Sequence, residues 1–145
     1  MEDITSKYIE TPTGYLMVLT HKDNVIAALS ALAEKEDIPS ATFFGIGFSG
    51  SATFGFYDFD DKVFVPKTYK DMEMASLNGS IAWQNGKPSI HAHAANTGGD
   101  YDAVGGHILE MEVGTGSMEI TILRHTKKLE RKIEPSIKAN ILQLN

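Results

Sequence analysis

The run Pro88-Ser89-Ile90-His91-Ala92-His93-Ala94-Ala95 and, after a polar loop, Gly105-Gly106-His107-Ile108-Leu109-Glu110-Met111 hold three of the chain's five histidines. Read as a strand, residues 89 to 95 send alternate side chains to opposite faces, so His91 and His93 share a face and stand about 7 Å apart. His107 opens a second segment whose alternation places His107, Leu109, Met111 and Val113 on one face, expected to be buried, and Ile108, Glu110 and Glu112 on the other. The connection from Asn96 to Val104, with Asn, Gly and Asp, lets the two strands pair antiparallel and brings His107 toward the HxH pair. Gly105 and Gly106 predict a close backbone approach or an unusual φ at that point.

Three neutral imidazoles suit Zn²⁺ and leave a fourth position for water, substrate or a carboxylate. The competing reading is a hydrogen-bonded or exposed histidine pair, the commoner fate of HxH alone, and the spacing leaves both open. Glu73 is the best non-histidine candidate, as a fourth ligand, a partner orienting a histidine, or a general base. Its strand, Tyr69 to Gln84, alternates so that Glu73, Ala75, Leu77, Ile81 and Trp83 share a face, and a carboxylate on an apolar face is costly unless paired or exposed. A glutamate at a strand end in solvent is the plainer alternative.

These residues resemble a known family, the plant and prokaryote conserved (PPC) domain. The resemblance rests on Pro88-x-x-His91-x-His93 followed by Gly105-Gly106-His107-Ile108-Leu109-Glu110, and covers nearly the whole chain. Glu73-Met74-Ala75-Ser76-Leu77-Asn78-Gly79 is similar to the family's Glu-x-x-Ser-Leu-x-Gly segment, and Ile46-Gly47-Phe48-Ser49-Gly50 to its early hydrophobic-Gly motif. The resemblance implies a mainly antiparallel sheet with a helix packed beside it, assembled as a homotrimer. Plant members join the domain to an AT-hook, and bacterial and archaeal members are commonly described as DNA-binding. This chain has no Arg-Gly-Arg-Pro hook.

With 145 residues, 42% of them hydrophobic, the chain is expected to form one domain over residues 1 to 145 with a substantial core. No apolar run is long enough to span a bilayer, and Met1-Glu2-Asp3-Ile4-Thr5 is acidic where a secretory signal is basic, so a cytoplasmic protein is expected. With no cysteine, any transition metal must be held by His, Asp or Glu. A net charge of −6 disfavours unaided binding to nucleic acid, whose affinity comes from Lys and Arg contacts with phosphate.

Read in order, Tyr8-Ile9 and Tyr15 to Leu19 form a hairpin around Thr11-Pro12-Thr13-Gly14. Asp23 or Asn24 caps a helix carrying Val25, Ile26, Leu29, Leu32 and Ala33, which ends before Ile38-Pro39. Residues 41 to 57 read as two Phe- and Gly-rich strands. Gly45-Ile46-Gly47-Phe48-Ser49-Gly50 imitates a dinucleotide loop but lacks the helix that must follow one. Val63-Phe64-Val65 reads as a short strand stopped by Pro66, Asn85-Gly86 as a tight hairpin turn, and Gly114-Thr115-Gly116 as a further turn. The fold class is therefore α+β, mainly antiparallel, with one principal helix.

Lys127, Lys128, Arg131 and Lys132 form the one basic cluster, either a solvated face or a contact for nucleic acid or another anion. The functional expectation is a trimeric, zinc-type metal-binding domain using His91, His93 and His107, with room for a small-molecule ligand and no reaction assigned. A DNA-associated or protein-interaction module is the alternative.

Overall fold

Asn85 and Gly86 take φ of 52° and 77°, the left-handed pair that a two-residue hairpin turn demands. They join β4 (Val63–Gln84) to β5 (Lys87–Thr97) in the expected antiparallel register, with Gln84 opposite Lys87 and Ser80 opposite His91. The computed structural model describes residues 3–145. Ahead of this hairpin come β1 (Tyr8–Thr11), β2 (Gly14–Thr20), the helix α1 (Val25–Lys35) and β3 (Ser40–Asp58). After it come β6 (Ala103–His125), β7 (Glu130–Glu134) and β8 (Ala139–Gln143).

The central pairings close on themselves. β3 lies between β4 and β6, and β5 pairs with the same two strands, so β3, β4, β5 and β6 form a ring of ladders. β2 and β1 extend the sheet beyond β6. β7 and β8 extend it beyond β4 through a single parallel pairing, Trp83 with Glu130. The sheet is thus mixed rather than purely antiparallel, while every other ladder between the strands is antiparallel.

The helix follows from its caps and its apolar stripe. The Asn24 side chain accepts a hydrogen bond from the Ala27 N–H at 2.9 Å, which satisfies one of the orphan donors of the first turn. Past the last turn Asp37 has φ 47° and the Ile38 N–H returns to the Ala33 carbonyl at 3.0 Å, closing the end before Pro39. Val25, Ala28, Leu29 and Leu32 are fully buried with Met17, Phe43, Leu77, Ile81, Met111 and Ile120. Among the described residues no helix is long and apolar enough to cross a membrane.

Three boundaries differ from the sequence expectation, each where a long strand carries an irregularity. Residues 41 to 57 are one strand, whose register shifts near Gly47 without breaking the chain's path. β4 runs straight through Pro66, because β5 joins β4 only from Glu73 onward and Pro66 therefore sits on an edge where its missing N–H leaves no gap. Gly114-Thr115-Gly116 makes no hairpin: β6 continues to His125 and bulges instead, with Gly47 opposite Met118 but Ser49 opposite Val113.

Gly79 shows how tightly the ring is drawn. A Cβ there would lie 2.2 Å from Phe43 Cζ and 2.3 Å from the His91 carbonyl oxygen. Gly79→Ala is expected to cost about 1–3 kcal/mol by overpacking, read as a lower urea midpoint at unchanged slope. Gly99→Ala, where an added Cβ meets nothing within 4 Å, should stay within about 0.5 kcal/mol of the parent. Equal stability of the two variants would refute this account of β4 packing.

Candidate metal centre

Alternation along β5 does the first part of the placing. Ala92 and Ala94 enter the core at 1% and 7% exposure, so His91 and His93 stand on the opposite face. β6 supplies the third imidazole, with His107 directly across from His93. The two glycines before it divide the two expected roles. A Cβ on Gly105 would lie 2.1 Å from the Ala94 carbonyl oxygen, whereas Gly106 has open space around it and φ of 142°.

His107 reaches this face because of a bulge that alternation alone does not show. Thr53 pairs with Glu110 but Phe54 pairs with Ile108, so Leu109 is an extra residue. Met111 and Val113 point inward on one side of the bulge and Ile108 points inward on the other. His107 and Leu109 thereby leave the buried face expected for them.

The ring centroids of His91 lie 5.1 Å from those of both His93 and His107, and His93 lies 5.4 Å from His107. Their candidate ligand nitrogens all fall within 4.8 Å of one another, and His91 Nε2 and His93 Nε2 are 3.2 Å apart. Zinc–nitrogen bonds of ~2.0–2.1 Å in a tetrahedron put ligand nitrogens about 3.3 Å apart. The His91–His93 pair already meets that spacing.

Electrostatics favour neutral rings. Burial, with the neighbouring His91 and His93, pushes His107 down to about 4. Burial, then His93 and Arg131, lowers His91 as well. Neutral imidazole is the ligand form, so these shifts keep His91 and His107 available as donors at neutral pH. Phe64 stacks on His107 with centroids 4.6 Å apart and planes 12° apart, which restrains that ring.

Glu73 lies elsewhere. A second bulge, between Met74 and Ser76 of β4, switches the inward phase from Met72 and Met74 to Leu77 and Ile81. Glu73 is exposed rather than on the Leu77 face, and it pairs with Thr97, about 13 Å along the strand from the position of His93. The basic cluster divides. Lys127, Lys128 and Lys132 are exposed, with Lys127 Nζ donating to the Leu144 carbonyl at 2.6 Å and Lys128 Nζ 4.6 Å from the Trp83 ring centroid. Arg131 turns inward at 5% exposure and donates to the Ser89 carbonyl and to Ser80 Oγ. Of the remaining histidines, His21 is exposed and His125 contacts Ser40 and Thr42.

The triad opens into a cleft of about 660 Å³ walled by β3, β4 and the β7–β8 hairpin. Phe64 and Arg131 are site residues whose positions the sequence reading missed. The phase of β7 does set Arg131 against its exposed neighbours Glu130 and Lys132, but in a charged run that period is hard to see.

The chain matches known proteins along most of its length. A crystal structure from Ralstonia eutropha JMP134, named as a candidate DNA-binding protein, is 56% identical with a TM-score of 0.96 over 99% of this chain and 100% of that one. A plant- and prokaryote-conserved protein from Pyrococcus horikoshii shares the fold at 24% identity, TM-score 0.81, over 95% and 96% of the two chains. A metal-containing protein from Archaeoglobus fulgidus does so at 23% identity, TM-score 0.81, over 99% of each. Comparison with functionally curated proteins found no match. The Plants and Prokaryotes Conserved (PCC) domain, the PPC family of the sequence analysis, matches residues 7–126, so the chain belongs to that family.

Proposed function

We propose that this domain holds a divalent transition metal, zinc in type, through His91, His93 and His107 and presents it to a small ligand in the adjoining cleft. The observation that carries the reading is the convergence of three imidazoles from two strands on one small space, with no acidic group in the cluster. Imidazole donors suit zinc, and three protein ligands leave a position open. The metal-containing relative from Archaeoglobus supports the reading. A bound zinc ion would supply Lewis acidity and a water acidified toward about 7. Glu73, exposed and distant from the triad, has no part in this reading, and no reaction is assigned.

A homotrimer is the second part of the proposal. Phe44 and Ile46 on β3 and Val18 on β2 are 46%, 56% and 41% exposed, with Glu119 of β6 standing between Ile46 and Val18. An apolar patch of this kind is the usual mark of a protein interface. Direct DNA binding draws support from the names of the Ralstonia relative and of a similar Bacteroides thetaiotaomicron protein, and the net charge of −6 opposes it.

Elemental analysis of untagged protein should find about one transition ion per chain. The His91→Ala/His107→Ala double variant should lose it while keeping its circular dichroism, since both rings lie outside the core. A parent that stays empty after zinc is supplied would sink the metal reading. Light scattering should give a mass three times that of one chain, and a monomer at micromolar concentration would remove the trimer.

The metal-free protein should also lose stability as pH falls. Unfolded His107 takes up its proton near 6.5 and the folded form only near 4, so the contribution is complete above 6.5 and is lost between 6.5 and about 4. Urea unfolding at several pH values in that window should show a weaker pH dependence for His107→Gln than for the parent.

A further inference from the structure

The cleft beside the triad carries charge of one sign inside an acidic protein. Among its lining residues are Arg131, Lys67 and Lys138, and no aspartate or glutamate. The chain as a whole has a net charge of −6, so this composition runs against its average. Arg131 is the more telling of the three. As a residue it is only 5% exposed, and among the described residues no carboxylate pairs with it. The oxygens it reaches, the Ser89 carbonyl and Ser80 Oγ, are both neutral. Burying a charge without a countercharge is expensive, and a guanidinium does not give up its proton to escape the cost.

The position of Arg131 gives that cost a use. Ser80 stands directly across the ladder from His91, and Ser89 shares the His91 face by alternation, so the guanidinium lies beside His91 on the surface that carries the triad. The fork keeps donors beyond those given to the two serines. The lining is otherwise rich in aromatic rings, Phe54, Phe56, Tyr57, Phe59, Phe64 and Tyr69. A volume of about 660 Å³ is that of a small-molecule site.

We propose that the cleft takes a small organic acid with an aromatic or branched apolar body, its carboxylate held by Arg131 and drawn in by Lys67 and Lys138 at the mouth. This rests on the reading of the cleft as a small-ligand site and adds the charge and shape of the ligand. Arg131, Lys138 and Asn140 all come from the C-terminal hairpin, beyond the residues 7–126 that define the family match. The family core provides the imidazoles, and the hairpin provides the anion contact.

Calorimetry with phenylacetate and its neutral counterpart phenylacetamide tests this, on untagged protein stripped by a chelator and on the same protein reloaded with zinc. Phenylacetate should bind at least about tenfold tighter than the amide to both samples, as expected for a charge-assisted bidentate contact. Arg131→Gln should abolish the preference and Arg131→Lys should keep part of it, because a lysine retains the charge without the fork. If Arg131→Gln fails to fold, the exposed pair Lys67→Glu/Lys138→Glu should weaken phenylacetate several-fold and leave the amide unchanged.

Equal binding of acid and amide, no binding of either, a preference that survives in folded Arg131→Gln, or one that is undiminished in the Lys67→Glu/Lys138→Glu variant would overturn the proposal. Zinc content measured on the same samples separates the two readings. Protein that loads zinc and ignores the acid fails only here. Protein that binds the acid and never loads zinc fails only the metal assignment.

Discussion

The approach of β6 to β5 at Gly105 and Ala94 governs the position of everything the cleft contains. Gly105 leaves no room for a side chain against the Ala94 carbonyl, and the next residue but one, His107, lands directly opposite His93. Because β5 is also bound to β4 and β6 to β3, this one contact closes the ring of four strands. A closed ring has little freedom to slip register, since shifting one ladder would break the others. The backbone positions of the histidine cluster are therefore set by strand pairing.

Charge is distributed unevenly over this frame. The protein is acidic overall, yet the cleft beside the triad holds an arginine and two lysines without an acid. Burial lowers His107 and His91, which favours their neutral forms beside Arg131. A depressed imidazole and an unpaired guanidinium side by side are costly to stability, and such costs gather at sites that bind or react. On the aromatic side, Phe64 stacks on His107 and covers one face of that ring.

The relation of fold to function is correspondingly two-layered. The likeness to the Archaeoglobus and Pyrococcus proteins is a likeness of fold at low identity. Chemistry has to be argued from the side chains themselves. The C-terminal hairpin β7–β8 is tied to the ring by one parallel pairing at Trp83, by Arg131, and by hydrogen bonds from Tyr57 to the Ile137 and Lys138 carbonyls and from Gln84 to Asn140, and it forms a wall of the cleft.

Much of the local structure was legible in the residues. Asn24 as a cap, Asn85-Gly86 as a turn, the HxH alternation and the Gly-Gly before His107 each act through their immediate neighbours, so their chemistry reads directly from the chain. The family resemblance followed from the same residues. Tertiary structure decided the phase of the long strands. The bulges at Leu109 and between Met74 and Ser76 each invert which side faces the core, turning His107 outward and leaving Glu73 exposed and far from the triad. A bulge answers to the packing of a neighbouring strand distant in sequence, here β3 and β5, and one extra residue leaves hydrophobic alternation looking unbroken. The inward turn of Arg131 has the same origin: within Lys127 to Lys132 all charges look alike, and only the oxygens of Ser80 and Ser89, brought close by folding, single one of them out.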